Sequence, residues 1–406
     1  MPRDYDVLII GGGMVGASLA CALASQPLRI GVVEAVPFQD EGQPSYDDRG
    51  LALALSSQRV LAALGLWDRI SEEANPIRRV HVSDRGHFGF VRMDAGMVGV
   101  DALGYVVLAR LLGKVLSENL ISFANVDLFC PARLHAIHLG EEKVEVSVQL
   151  NGDCVSLKTR LVVGADGTNS KVRQALGTET RERDYGQTAI VANVTLERPH
   201  RDTAYERFTE TGPLALLPLS DGCSALVWTV ASAEADRILA MDEQSCLSNL
   251  EKCFGGRLGR FLRIGQRKSY PLCMIEAEQQ AGPRIVVLGN AAHTVHPNAA
   301  QGFNLGLRDV AALAEVISDA IRAGEDPGSE QCLKQYVASR RSDQRRVIAF
   351  TEGLASLFYN DYLSRIMVRD IGMLAVDLIP PLKRQFMRQA MGLFGRQPRL
   401  VRGLAL

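Results

Sequence analysis

No C-x-x-C pair occurs among the eight cysteines, which stand at 21, 130, 154, 223, 246, 253, 273 and 332. That scatter excludes a zinc ribbon and a dithiol redox motif, and it predicts free thiols. No run reaches the roughly 18 apolar residues that a membrane-spanning helix needs. Neither sign of charge is in excess: 45 Lys and Arg against 46 Asp and Glu leave a formal net charge of -1. Without a global field the chain is not expected to recruit nucleic acid, so any electrostatic partner must be met by a local patch. The charged and apolar regions of a signal peptide are also missing, because Met1-Pro2-Arg3-Asp4 runs straight into strand-like residues. A cytoplasmic location is therefore expected, with at most attachment to the inner membrane surface. Internal repeats and low-complexity stretches are absent too.

What is present is the composition of a globular protein of two or three domains: 406 residues, 47% hydrophobic and 22% charged. The opening DYDVLIIGGGMVGASLACALA reads as a buried strand, a glycine turn and a helix, and RIGVVEA supplies a second strand. VLAALGLWDRI reads as a short helix ending near Gly65, and LARLLGKVLSEN as another over 108–119. Antiparallel strand texture fills 76–100, and strands are expected at 133–138 and 143–150. RLVVGADG and RIVVLGNAA repeat the strand-to-glycine pattern, while 181–275 is strand-rich. A helix is expected over 303–322, and helix again from 335 to the end, broken at Pro380-Pro381 and Pro398. The expected fold is α/β: a discontinuous Rossmann-like nucleotide domain (1–75, 101–180 and 279–345) with an inserted β-sheet-rich substrate domain (76–100 and 181–278). A helical C-terminal region, 346–406, follows.

Gly11-x-Gly13-x-x-Gly16 sits between the first strand and its helix. Gly11 allows the tight turn, Gly13 lets backbone approach a pyrophosphate, and Gly16 lets the helix pack closely. The pyrophosphate would rest on the positive end of the helix dipole. Glu34 ends the second strand, about 20 residues on, where a carboxylate accepts hydrogen bonds from a ribose. The acid would repel the 2′-phosphate of NADP, which leaves NAD and FAD, and this motif cannot separate them.

Two further motifs can. One is Gly164-Ala165-Asp166-Gly167, continuing to Arg173; the other is Gly289-Asn290-Ala291-Ala292-His293, continuing through Pro297 to Gln301-Gly302-x-Asn304-x-Gly306 and Asp309. With GxGxxG, in this order, they resemble the class A flavoprotein aromatic hydroxylases of the para-hydroxybenzoate hydroxylase fold, over essentially the whole chain. In that family the second motif touches FAD and the visiting nicotinamide, and the third lies on the ribityl chain. The family's GD is GN here, at Asn290; asparagine keeps a carbonyl acceptor, so FAD binding is expected to survive. GNAAxTxHPxAxQGFNLGxRD, Asp48-Arg49 with LALALSSQRVLAALGLW, and AYERFTETGPLALLPL narrow the likeness to bacterial ubiquinone-biosynthesis hydroxylases of the 2-polyprenyl-6-methoxyphenol type. Ala300 stands where a glycine is usual.

The resemblance implies non-covalent FAD held by Gly11, Gly13, Gly16, Glu34, Asp166, Gly167, Asn290, Gly302 and Asn304. It places Arg49 and Arg110 at the FAD phosphates or the flavin edge, against the plain reading of solvated arginines. It implies a monooxygenase that uses O2 and a transient NAD(P)H, through a flavin C4a-hydroperoxide, to hydroxylate a polyprenylated phenol in a site closed to water. The helix near Gly302 would aim its amides at the reduced ring. His293 and His296 have no acid or cysteine companion for a metal, and serve either as a substrate base or as residues shaping the loop. The halogenase signature W-x-W-x-I-P is absent, since Trp67 and Trp228 stand alone. A hydroxylase of a small soluble phenol, and a non-catalytic flavin-binding scaffold subunit, remain as alternatives. Finally, 378–406 carries six basic residues and no acidic one. Wound as a helix, it sets Phe386, Met387, Ala390, Met391, Leu393 and Phe394 on one face. That face fits either an interfacial helix on a membrane or packing against the protein body or a partner.

Overall fold

A computed structural model describes residues 3–38, 47–296, 300–358 and 363–406; Pro297 of the third motif lies outside them. Its centre is a parallel sheet around the strand Arg3–Ile10, whose run DVLII is apolar because both faces are covered. Ile30–Val33 and then Val126–Phe129 lie on one side. On the other side lie the second half of Asp153–Gly164 and then Ile285–Val287. Helices Met14–Leu23 and Gln301–Arg322 pack on one face, with Leu19, Val310 and Leu313 among the buried residues. The other face is covered by the antiparallel hairpin Ala132–Leu139 and Val144–Leu150, through Leu134, Val146 and Val148.

This strand order decides where the chemistry can be. Ile10, Gly164 and Val287 stand side by side at the carboxyl ends of three neighbouring parallel strands. Backbone bonds lock the exits: Ala165 N donates to Ile10 O at 2.7 Å, and Leu288 N to Gly164 O at 3.0 Å. Three glycine motifs separated by more than a hundred residues of chain thus converge on one edge, the usual ligand site of an open parallel sheet.

A nine-stranded sheet is built on Thr180–Leu196, which pairs with Lys268–Ala277 and Cys223–Ala231. Gly212–Pro218, Thr203–Thr209, Arg79–Asp84 and Phe90–Asp94 extend it. Alternation divides its side chains. Ile190, Ala192 and Trp228 pack under helices Ser232–Leu239 and Glu243–Phe254, while Ala189, Val191 and Val227 line an internal cavity. A small third sheet, Gly50–Ala54, Gly104–Leu108 and Asn75–Ile77, was not foreseen in the sequence; its strands are too short and too separated to read as partners.

Helices Glu330–Phe358, Leu363–Leu378 and Pro380–Ala390 form the C-terminal region. The last begins at its prolines because a proline at the first helical position loses no hydrogen bond. Its apolar face does not lie open to a membrane. Met387 and Met391 are buried against Leu55, Met93, Phe208 and Met373. Phe386 meets Phe350 edge-on at 5.4 Å, and Phe394 lies under Arg346. Of the six basic residues, Lys383 is buried in an ion pair with Asp377 at 2.8 Å. The cause is the apolar group Val80, Val91, Met93 and Phe208 of the nine-stranded sheet, which this helix covers together with Leu363–Leu378.

Candidate active site

The first glycine turn is made by steric necessity. Gly11 has φ +102°, and a Cβ there would lie 2.4 Å from the Ala165 carbonyl oxygen; a Cβ at Gly16 would lie 1.9 Å from Gly11 O. Gly13 caps the helix in an extended conformation, with no side-chain cap and no acid in the first turn. The first helical amides thus receive no help from side chains, which suits an anion. Glu34 is buried beside the turn, its carboxylate accepting from Gly12 N at 2.7 Å and Val36 N at 2.8 Å.

At the second motif, Asp166 accepts from Ser170 Oγ and from the amides of Lys171 (2.8 Å) and Val172 (3.2 Å), so it caps the helix Lys171–Leu176. Gly167 has φ +80° with open space where its side chain would be. Arg173, quoted in the motif but given no role from sequence, ties the second motif to the third. It is buried, and its guanidinium donates to Thr168 O at 2.8 Å and Ala291 O at 2.9 Å.

At the third motif Asn290 is exposed and its carboxamide bonds no described residue, while its residue lines the cavity. Helix Gln301–Arg322 starts there with no side-chain cap and no acid in its first turn. Asn304 is fully engaged with protein. Its carbonyl accepts from Ala54 N (2.8 Å) and Ser57 Oγ (2.7 Å), and its amide donates to Ala52 O (2.8 Å) and Ala300 O (2.7 Å). It latches the strand Gly50–Ala54 to the helix start.

Beneath the turn, fully buried His293 shares a 2.5 Å hydrogen bond with Asp309, whose other oxygen accepts from Arg340 (2.7 Å) and Gln344 (2.9 Å). Burial alone would raise the Asp309 carboxyl, but His293 and Arg340 outweigh it and hold the acid well below the ordinary range. His296 is also buried, 3.3 Å from Gln187 and edge-on to Tyr185. Neither histidine lines the cavity, and no metal-binding cluster occurs among the described residues.

Sequence reasoning missed the junction between the small sheet and the nine-stranded one. Arg49 Nε pairs with Asp47 at 2.7 Å and its guanidinium sits 4.6 Å over the Tyr270 ring, while Tyr270 Oη donates to Asp47 at 2.8 Å. Burial pushes the Tyr270 phenol up to about 12, with Asp47 adding to the shift against the opposing Arg49 cation, so it remains a donor. Nothing around Tyr270 marks it in the sequence. Arg110 instead bonds Asp48 at 2.6 Å on an exposed surface.

These elements surround a cavity of about 460 Å³. Asn290, Gly302 and Asn304 form part of its wall, Val191, Leu217 and Leu272 another, and Phe350, Leu354, Phe386 and Met387 of the C-terminal helices a third. Among the described residues, Arg49 is its only basic lining side chain. A glycine cradle, two uncapped helix starts and a carboxylate at the second strand fit a dinucleotide with a ring reaching the cavity.

Known proteins support this geometry. The FAD binding domain family matches residues 4–351. The "Ubiquinone hydroxylase UbiL" of Rhodospirillum rubrum is 41% identical over 404 residues, covering 99% of this chain and 93% of that protein. The "3-demethoxyubiquinol 3-hydroxylase" of Escherichia coli is 33% identical, covering 96% and 99%. The crystal structure of p-nitrophenol 4-monooxygenase PnpA from Pseudomonas putida superposes with a TM-score of 0.81 at 19% identity, covering 98% and 100%, which shows the shared fold. The chain belongs to the FAD-binding flavoprotein monooxygenases, in the branch that holds the ubiquinone-biosynthesis hydroxylases.

Proposed function

We propose that this enzyme uses O2, NAD(P)H and non-covalent FAD to hydroxylate the aromatic ring of a polyprenylated phenol in ubiquinone biosynthesis. The observation that carries the substrate class is the cavity beside Asn290 and the start of helix Gln301–Arg322. Its walls are predominantly apolar, and the one basic side chain among its described lining residues is already engaged by Asp47 and Tyr270. A small phenol acid would find no free cation among the described lining residues, whereas an isoprenoid tail would meet Val191, Leu217, Leu354 and Phe386. Bound FAD would supply electron transfer from the nicotinamide and the activation of oxygen.

The chain's own residues bind, orient and keep the site dry. The amides after Gly13 would hold the pyrophosphate, Glu34 a ribose, and Asn290 the ribityl chain. The amides at Gly302 would face the negative charge of the reduced ring. Arg49, fixed by Asp47 and Tyr270, would stand at the flavin edge, and Gly167 at the nicotinamide approach. The C-terminal helices exclude water from the third wall. Because the prenylated substrate resides in lipid, the C-terminal region would also bring the enzyme to a membrane surface.

The test supplies NADH or NADPH and ¹⁸O2 with either a prenylated or an unprenylated phenol. Label in the ring of the prenylated product alone is the expected result. Preference for the unprenylated phenol would move the reading to a soluble substrate. Cofactor oxidation with no labelled product from either would overturn the hydroxylase reading.

A further inference from the structure

Helix Leu363–Leu378 turns its described charged residues inward, beside buried Met373. Its charged residues from 367 onward point into the protein: Arg369 pairs with Asp84, Asp370 accepts from Gly89 N at 3.2 Å, and Asp377 holds Lys383 at 2.8 Å and Arg92 N at 2.9 Å. Its outward residues are apolar. Met367 is 55% exposed, Val368 66%, Ile371 57% and Leu378 67%, and Ile379 and Leu382 continue the row onto the next helix. Phe88, next in sequence to the Gly89 that bonds Asp370, is also exposed. Scattered exposed apolar residues are ordinary, but a row over three helical turns, joined through half-buried Leu374, marks a surface that meets an apolar phase.

We propose that this row is the membrane-docking surface of the enzyme, and that it seats on an anionic bilayer. Two observations select lipid. The next helix carries exposed Arg384 and Arg388, which pair with no described carboxylate, and no acidic residue follows Asp377 in the sequence. That asymmetry complements anionic headgroups. Helix Pro380–Ala390, onto which the row continues, supplies Phe386 and Met387 to the cavity wall, so the docked surface adjoins an element of the site. No helix among the described residues is long and apolar enough to cross a membrane. The proposal rests on a lipid-resident substrate only for its purpose; the surface itself is read from exposure and charge.

The experiment is flotation of the FAD-loaded full chain with vesicles of phosphatidylcholine and phosphatidylglycerol, without turnover. The wild type should float, and the double variant Ile371→Glu/Leu378→Glu should partition at least tenfold less. Ile121→Glu, at an equally exposed apolar position on helix Ala109–Ser122, should float as the wild type does. Retained flavin absorbance and an unchanged melting temperature confirm that the variants are folded. Failure of the wild type to float, or equal flotation of the double variant, overturns the proposal. So does a wild-type dimer that the double variant splits while flotation is unchanged, because the row would then be a protein interface. A protein that floats but does not hydroxylate refutes the function above and leaves this surface standing.

Discussion

Ala300 shows most directly how a single residue is constrained here. It precedes helix Gln301–Arg322 with φ +50° and ψ +42°, a left-handed conformation that costs a residue with a Cβ about 1 kcal/mol. That explains why a glycine suits this position. Ala300→Gly is expected to raise unfolding stability by roughly 1 kcal/mol in urea titration, without loss of FAD. Asp309 carries a larger load, because it satisfies His293, Arg340 and Gln344 inside the core. Asp309→Ala should cost about 3–5 kcal/mol by leaving buried donors unpaired. Its depressed acidity sets the pH window. The stability it contributes is complete above the unfolded aspartate value of about 4, and is lost as pH falls from there toward the folded value. The difference in unfolding free energy between wild type and variant should therefore be flat above about pH 4 and narrow below it.

Among the elements, helix Pro380–Ala390 and the turn Leu400–Arg402 belong to the folded body. Met387, Met391, Leu400 and Val401 are all nearly fully buried. At about 1.5–3 kcal/mol each, deleting them forfeits roughly 6–12 kcal/mol. That is comparable with the whole stability of a domain, about 5–15 kcal/mol. Truncation at Pro380 should thus yield aggregated protein, read as loss of soluble expression and of a cooperative melt. It would not give a folded protein that has merely lost a membrane anchor. The helix's amphipathic pattern was legible in the sequence, but which phase it faces was not, because the apolar surface it covers belongs to strands 79–94 and 203–209, far away in the chain.

Over the whole molecule, FAD bound as proposed would span three segments that lie far apart in the chain. The first motif, Arg173, the GN turn and the latch at Asn304 meet only along one sheet edge. A ligand that binds only this folded arrangement stabilises it by mass action, about 2.7 kcal/mol at a hundredfold excess over its Kd. The purified protein should be yellow. Stripping the FAD should lower the melting temperature, and adding it back should restore the temperature with a logarithmic dependence on concentration. A melting temperature indifferent to FAD would mean that the three motifs are not joined by it.

The sequence by itself determined the parallel strands, the glycine turns that follow them and the acid at Glu34. Each rests on local chemistry: an apolar run, a positive φ, or a fixed spacing after a turn. It also carried the family, because three ordered motifs identify it before any contact is known. Only the tertiary structure decided that Asn304 is a latch, that Arg173 bridges two loops, and that Tyr270 joins Arg49 and Asp47 across 221 to 223 residues of chain. It likewise decided which C-terminal apolar row is covered and which is bare. Those outcomes depend on pairing between distant segments, and a burial pattern read along one helix does not reveal what stands opposite it.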